Sequence, residues 1–180
     1  MALQFDSPSP DATRAAAALL ARVLPESSFV VVLTGPLGAG KTVFAKGLAS
    51  GLGVDPNSVH SPTFGICSEY DTPDGRRLAH VDGYRLKNEM ELEDAGFLDW
   101  LDSGTLVVIE WGDRFPGALP LDRLEIALDR SPQAPTRRRL NAVASGPAAA
   151  EVLEGWRALL TQAGERLESA DESADEPADG

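Results

Sequence analysis

A chain of 180 residues, 43% of them apolar, can build one domain with a real core and is too short for two of ordinary size. Its formal charge of −12 excludes the broad basic face of an autonomous nucleic-acid binder, so any RNA contact is expected to be local or made through a partner. One cysteine, Cys67, excludes an intramolecular disulfide, and the absence of a leader-like start or of roughly 20 consecutive apolar residues predicts a cytoplasmic protein with no membrane partner.

In chain order, Asp11 to Leu24 reads as an Ala-rich helix held between Pro10 and Pro25. Phe29 to Leu33 is a short continuous run of β-prone residues, the pattern of a strand buried on both faces. Glycines follow, and then Lys41 to Ser50 has helical spacing, which predicts strand, loop and helix in succession. Phe64 to Tyr70 and Arg77 to Val81 read as a hairpin across the turn-rich Asp71 to Gly75. A polar helical stretch around Asn88 to Asp94 precedes a second wholly apolar run, Leu106 to Ile109, expected as another central strand. Leu124 to Leu128 and Arg138 to Val143 add two strands around the loop Ser131 to Pro135, and Pro147 opens a helix to about Leu160. The order predicts an α/β fold, a mixed sheet flanked by helices. Residues 1–163 form the expected domain. From Gly164 to Gly180 seven acidic residues face one Arg166, and this tail reads as disordered, a solvating extension in preference to a partner-binding arm.

The loop Gly35, Pro36, Leu37, Gly38, Ala39, Gly40, Lys41, Thr42, with Val43 next to it, has the spacing of a phosphate-binding loop. Glycines let backbone N–H groups turn inward, and the following helix presents its positive end to the phosphates. Lys41 is expected to reach the β and γ phosphates, and Thr42 to offer its hydroxyl to Mg²⁺, a hard cation that takes oxygen ligands. The guanine-reading Asn-Lys-x-Asp motif is absent, which favours ATP. Such a loop needs a carboxylate, usually at a neighbouring strand end. Asp82 and Glu110 each close a β run, and each is open to a second reading as a plain strand-end surface acid.

With Ser61-Pro62-Thr63-Phe64, Asp82-Gly83-Tyr84-Arg85 and Glu110-Trp111 added to the loop, the chain from about Asp11 to Ala144 resembles TsaE, the bacterial P-loop ATPase family of tRNA threonylcarbamoyladenosine synthesis. The resemblance implies Lys41 and Thr42 as nucleotide and magnesium residues, Glu110 as the second magnesium ligand, and Asp82 as the acid supporting hydrolysis. It implies Thr63 in a switch-like loop near the γ phosphate, Trp111 as an aromatic tied to activity and partner contact, and adenine contacts around Thr13 and Arg137. Gly83 stands where the family usually carries a bulkier residue such as Leu, which is expected to loosen the turn after Asp82. The implied function is ATP hydrolysis driving the TsaB and TsaD complex that forms the threonylcarbamoyl group on adenosine 37 of tRNAs reading ANN codons, weak in isolation and partner-stimulated, with tRNA met through the complex.

Other readings stay open at this point. Trp111 is also consistent with a core cap, Arg85 with a phosphate contact, a partner contact or a surface ion pair, and Thr63 with a turn hydroxyl; His60 and His80 read as structural. A small-molecule kinase would require an acceptor pocket and an Arg-bearing lid, for which Arg137 to Arg139 alternate too strictly. A nucleotide-dependent assembly module would need ATP binding without turnover.

Overall fold

A computed structural model of the chain describes residues 1–60, 66–131 and 134–174, and the side chains of all of these but 131 and 165–174. Its strands are β1 (Ala2–Ser7), β2 (Phe29–Thr34), β3 (Cys67–Asp71), β4 (Arg77–Asp82), β5 (Leu106–Glu110), β6 (Arg123–Ser131) and β7 (Ala134–Ser145). Its helices are α1 (Pro10–Ala21), α2 (Lys41–Gly51), α3 (Glu89–Asp94), α4 (Phe97–Asp102) and α5 (Pro147–Ala174), with 3-10 turns at Gly83–Arg85 and Gly112–Arg114.

One sheet in the order β1-β7-β6-β2-β5-β4-β3 holds them together. β6, β2, β5 and β4 run parallel; β1, β7 and β3 are antiparallel to their neighbours. The two uninterrupted apolar runs become the adjacent central strands β2 and β5, as a strand covered on both faces requires. Alternate residues of these strands feed two separate cores. Val31, Leu33, Leu106 and Val108 face α1, α2 and α5, whereas Val30, Val32, Val107 and Ile109 face α3, α4 and Phe115. Each fully buried Val or Leu here contributes about 1.5–3 kcal/mol by leaving water. On the first face α1 lies directly on α2: a Cβ on Gly47 would sit 2.4 Å from the Arg14 carbonyl oxygen, and one on Gly51 2.6 Å from that of Ala18.

The expected mixed α/β sheet is present, and four local readings change. β1 was not anticipated; Leu3 and Phe5 alternate with polar residues, a signal only two apolar residues long, and pair against β7. α4 is also new, because six residues are too few for a helical period to show. α1 stops at Ala21, before Pro25, starting from a Ser9 cap whose hydroxyl accepts from the Ala12 N–H. α5 continues past Leu160 to Ala174, through Ala, Glu, Gln and Leu residues of high helix propensity with no proline before Pro177, so the expected boundary at 164 falls inside a helix.

Candidate functional site

Parallel strands bring their C-terminal ends to one edge of the sheet, where the loop after β2 and the last residues of β5 and β4 meet. Leu33 is the register partner of Glu110, and Glu110 that of Asp82. The three pieces noted in the sequence therefore arrive side by side because of strand order alone. A cavity of about 290 Å³ opens there, walled by Gly38, Gly40, Lys41, Thr42, Asp82, Glu110, Trp111 and Arg138. A larger groove of about 490 Å³ between α1 and α2, beside Arg14 and Lys46, has none of the loop or the strand-end acids in its wall.

The loop is held from behind. Gly35 has φ +121°, and a Cβ there would lie 2.2 Å from the Leu128 carbonyl oxygen, so no side chain fits. Arg130 donates to the Gly38 carbonyl at 2.8 and 3.0 Å, and Arg138 to the Ala39 carbonyl at 2.7 Å. Lys41 opens α2 and is only 4% exposed. Its Nζ donates to the carbonyls of Gly35 (2.6 Å) and Pro36 (3.0 Å) and lies 3.6 Å from the centre of a Trp111 ring, a cation–π contact. Burial holds the Lys41 ammonium below its ordinary pKa, opposed by the carboxylates of Glu110, Asp82 and Asp113.

Glu110, 4% exposed, accepts from the Thr42 hydroxyl at 2.9 Å through Oε1 and at 3.2 Å through Oε2. A hydroxyl and a carboxylate in contact at a phosphate loop are an all-oxygen donor pair, which fits a hard divalent cation such as Mg²⁺. His80, fully buried, places Nε2 2.9 Å from the same Oε1. Asp82 is half-buried and caps the next turn, accepting from the Tyr84 N–H at 3.1 Å. Gly83 is not a loose point: it is buried, and a Cβ there would meet the Glu110 carbonyl oxygen and Phe115, each at 2.8 Å. The turn is tight because it packs on the β5 backbone, and Arg114 ties it further by donating to the carbonyls of Gly83 (2.7 Å) and Tyr84 (2.6 Å).

Trp111 is half-buried, not a core cap. It adopts φ +62°, an uncommon conformation for a bulky residue, donates its N–H to the Leu33 carbonyl at 2.8 Å, and packs against Tyr84 with ring centres 5.3 Å apart. Arg85 is exposed on the neighbouring turn. Thr13 and Arg137 are not in the cavity wall. Thr13 is buried, with its hydroxyl shared between Ser7 Oγ (2.8 Å) and the Ser9 carbonyl (3.2 Å), while Arg137 is exposed and the next residue, Arg138, turns inward. Thr63 lies outside the described residues. Sequence reasoning set His80 aside as structural and Arg138 with the lid reading, and missed Arg130 and Arg114. The trace that His80 left is that of a polar residue inside an apolar β run.

The family model described as "Threonylcarbamoyl adenosine biosynthesis protein TsaE" matches residues 7–140. A TsaE from Bacillus subtilis is 38% identical over 130 residues, covering 72% of this chain and 78% of that protein. A TsaE from Haemophilus influenzae is 35% identical over 113 residues, 63% of this chain and 70% of its own length. The crystal structure of Bacillus subtilis YdiB superposes with a TM-score of 0.70 at 30% identity, covering 87% of this chain and 95% of that one.

Proposed function

The chain belongs to the TsaE family, and on that premise we propose that it binds Mg-ATP at the loop from Gly35 to Thr42 and hydrolyses it in support of tRNA threonylcarbamoyladenosine formation. The observation that carries this reading is the convergence of Lys41, the Thr42–Glu110 pair and Asp82 at the C-terminal ends of three adjacent parallel strands.

Lys41 exchanges the carbonyls of Gly35 and Pro36 for β and γ phosphate oxygens, and the Trp111 ring keeps the ammonium from swinging into water. Backbone N–H groups from Gly38 to Val43, at the start of α2, receive the phosphates, with Leu37 at the mouth of the cavity. Thr42 and Glu110 would hold magnesium, which on binding would neutralise charge on the transferred phosphoryl group. Asp82 orients the attacking water, and Thr63 senses the γ phosphate from the preceding segment. The adenine belongs on the side of Arg138, whose register partner Ser7 is hydrogen-bonded to Thr13 and whose chain neighbour is Arg137.

Trp111, Tyr84 and Arg85 form the partner-facing edge of the site, and we assign TsaB and TsaD as the partners that stimulate turnover in the cytoplasm, tRNA being met through that complex. No helix among the described residues is long and apolar enough to cross a membrane. Residues 1–163 carry this activity and 164–180 serve as a solvating extension.

Phosphate release from Mg-ATP, measured with the chain alone and with TsaB and TsaD, tests the reading. Slow release that the partners accelerate, and that Lys41→Ala abolishes, is expected. Tight ATP binding with no release in either condition would replace hydrolysis by nucleotide-dependent assembly.

A further inference from the structure

The polar atoms of the site do not end at the loop. His80 lies two residues before the end of β4, with its ring in the layer formed by Leu78, Leu106 and Val108 beneath α1 and α2. Strand alternation puts Glu110 on that same face, diagonal to His80 across the parallel β4–β5 pair. The ring is completely buried, its Nε2 is 2.9 Å from Glu110 Oε1, and its Nδ1 has no hydrogen-bond partner among the described residues.

A buried imidazole with one nitrogen unsatisfied is costly to keep, so the contact that the other nitrogen makes is the reason to look for its role. Glu110 accepts through the same oxygen from both Thr42 and His80. If the ring hydrogen were on Nδ1 alone, two lone pairs would oppose each other at 2.9 Å; the contact therefore requires an Nε2–H donor.

We propose that His80 is a positioning residue for magnesium-dependent nucleotide binding: its Nε2–H fixes the Glu110 carboxylate so that one rotamer persists when the Thr42 hydroxyl turns its oxygen to the cation. Thr42 has a single hydroxyl hydrogen for Glu110 and must orient its oxygen to the cation at the same time, so a second, independent donor is what holds the carboxylate to one rotamer. The anchor must come from behind the carboxylate. His80 is the side chain there.

This inference rests on Glu110 being the magnesium carboxylate, and the experiment separates the two. The ratio of ADP affinity in Mg²⁺ to that in EDTA is measured by titration calorimetry for the full chain and for His80→Phe, His80→Gln, His80→Asn and Glu110→Gln. Gln carries an amide N–H at the reach of Nε2, whereas Asn is too short. We expect the ratio to fall about 10- to 100-fold in His80→Phe and His80→Asn, and to stay within about threefold of the parent in His80→Gln. A ring ¹⁵N spectrum of the metal-free protein should show hydrogen on Nε2.

A His80→Phe ratio equal to the parent's, or equal losses in Gln and Asn, would overturn the proposal, as would a ring protonated on Nδ1 alone. Should His80→Phe fail to fold, the Gln against Asn comparison decides. An unchanged ratio in Glu110→Gln would instead remove the premise about Glu110.

Discussion

Gly35 and Gly38 both have left-handed backbone in the loop, yet the structure separates their replacements. At Gly35 a Cβ would strike the backbone carbonyl of Leu128, which cannot step aside; at Gly38 it would meet Arg130 Nη2, the far end of a flexible side chain. Gly35→Ala is therefore expected to cost about 2 kcal/mol or more, several degrees of Tm, and to lose nucleotide binding. Gly38→Ala should be closer to 1 kcal/mol, with Arg130 displaced. Thermal melts of the two variants check the order, and equal losses would contradict it. Trp111 offers a second test. Of the three tryptophans, Trp100 and Trp156 are buried in the two cores and only Trp111 touches Lys41 in the cavity wall. Adding ATP should change the protein's tryptophan fluorescence, and Trp111→Phe should remove that change. A full response in the variant would show that Lys41 and Trp111 do not move together.

Among the elements, α5 is the one on which the N-terminal half depends. Trp156 donates Nε1–H to the Ala16 carbonyl at 2.8 Å and meets Phe5 and Phe44 edge-on at 5.4 and 6.0 Å, so one side chain joins β1, α1 and α2. Trp156→Ala should cost about 3–5 kcal/mol by cavity formation, and Trp156→Phe about 1 kcal/mol for the lost hydrogen bond, read by denaturant titration. The β3–β4 turn contributes through Asp74, which hydrogen bonds to Arg76 and Thr72 hold well below the usual carboxylate range. A depressed folded pKa stabilises above the unfolded value near 3.8, and the gain fades as pH falls towards the folded one. The stability gap between the parent and Asp74→Asn should thus be present at pH 7 and shrink below about pH 3.8, and it should weaken in high salt because the turn is exposed. A gap that persists unchanged to low pH would rule that account out. β2, β5, α2 and the β3–β4 hairpin were legible because each has a local signature, an apolar run, glycines before a lysine, or turn residues between β-prone stretches. β1 and α4 were not, since they are stabilised by partners distant in sequence. The same division runs through the site. Lys41 and Thr42 follow from spacing, and Asp82 and Glu110 from their place at strand ends; the His80–Glu110 and Arg138–Ala39 contacts join residues 30 and 99 positions apart, which only the strand order brings together.

For the whole molecule, strand order does the assembling. Four parallel strands at the centre of a seven-stranded sheet put the loop Gly35 to Thr42, the Thr42–Glu110 hydroxyl–carboxylate pair and the second acid Asp82 on one edge, while Arg130 of β6 and Arg138 of its antiparallel neighbour β7 brace the loop from outside. The chain's overall charge of −12 is unfavourable for a nucleotide tetra-anion at long range, so binding has to come from this local cluster of cations and backbone N–H groups. The central claim is that turnover at this edge, beyond mere occupancy, serves tRNA modification. The most direct test is multiple-turnover formation of threonylcarbamoyladenosine on tRNA by TsaB and TsaD, given the activated threonylcarbamoyl intermediate and supplied with this chain or with its Asp82→Asn variant. Sustained modification with the parent chain, and a stop after about one round with a variant that still binds Mg-ATP, is the predicted result; equal sustained modification with both, in the absence of phosphate release by the variant, would contradict it.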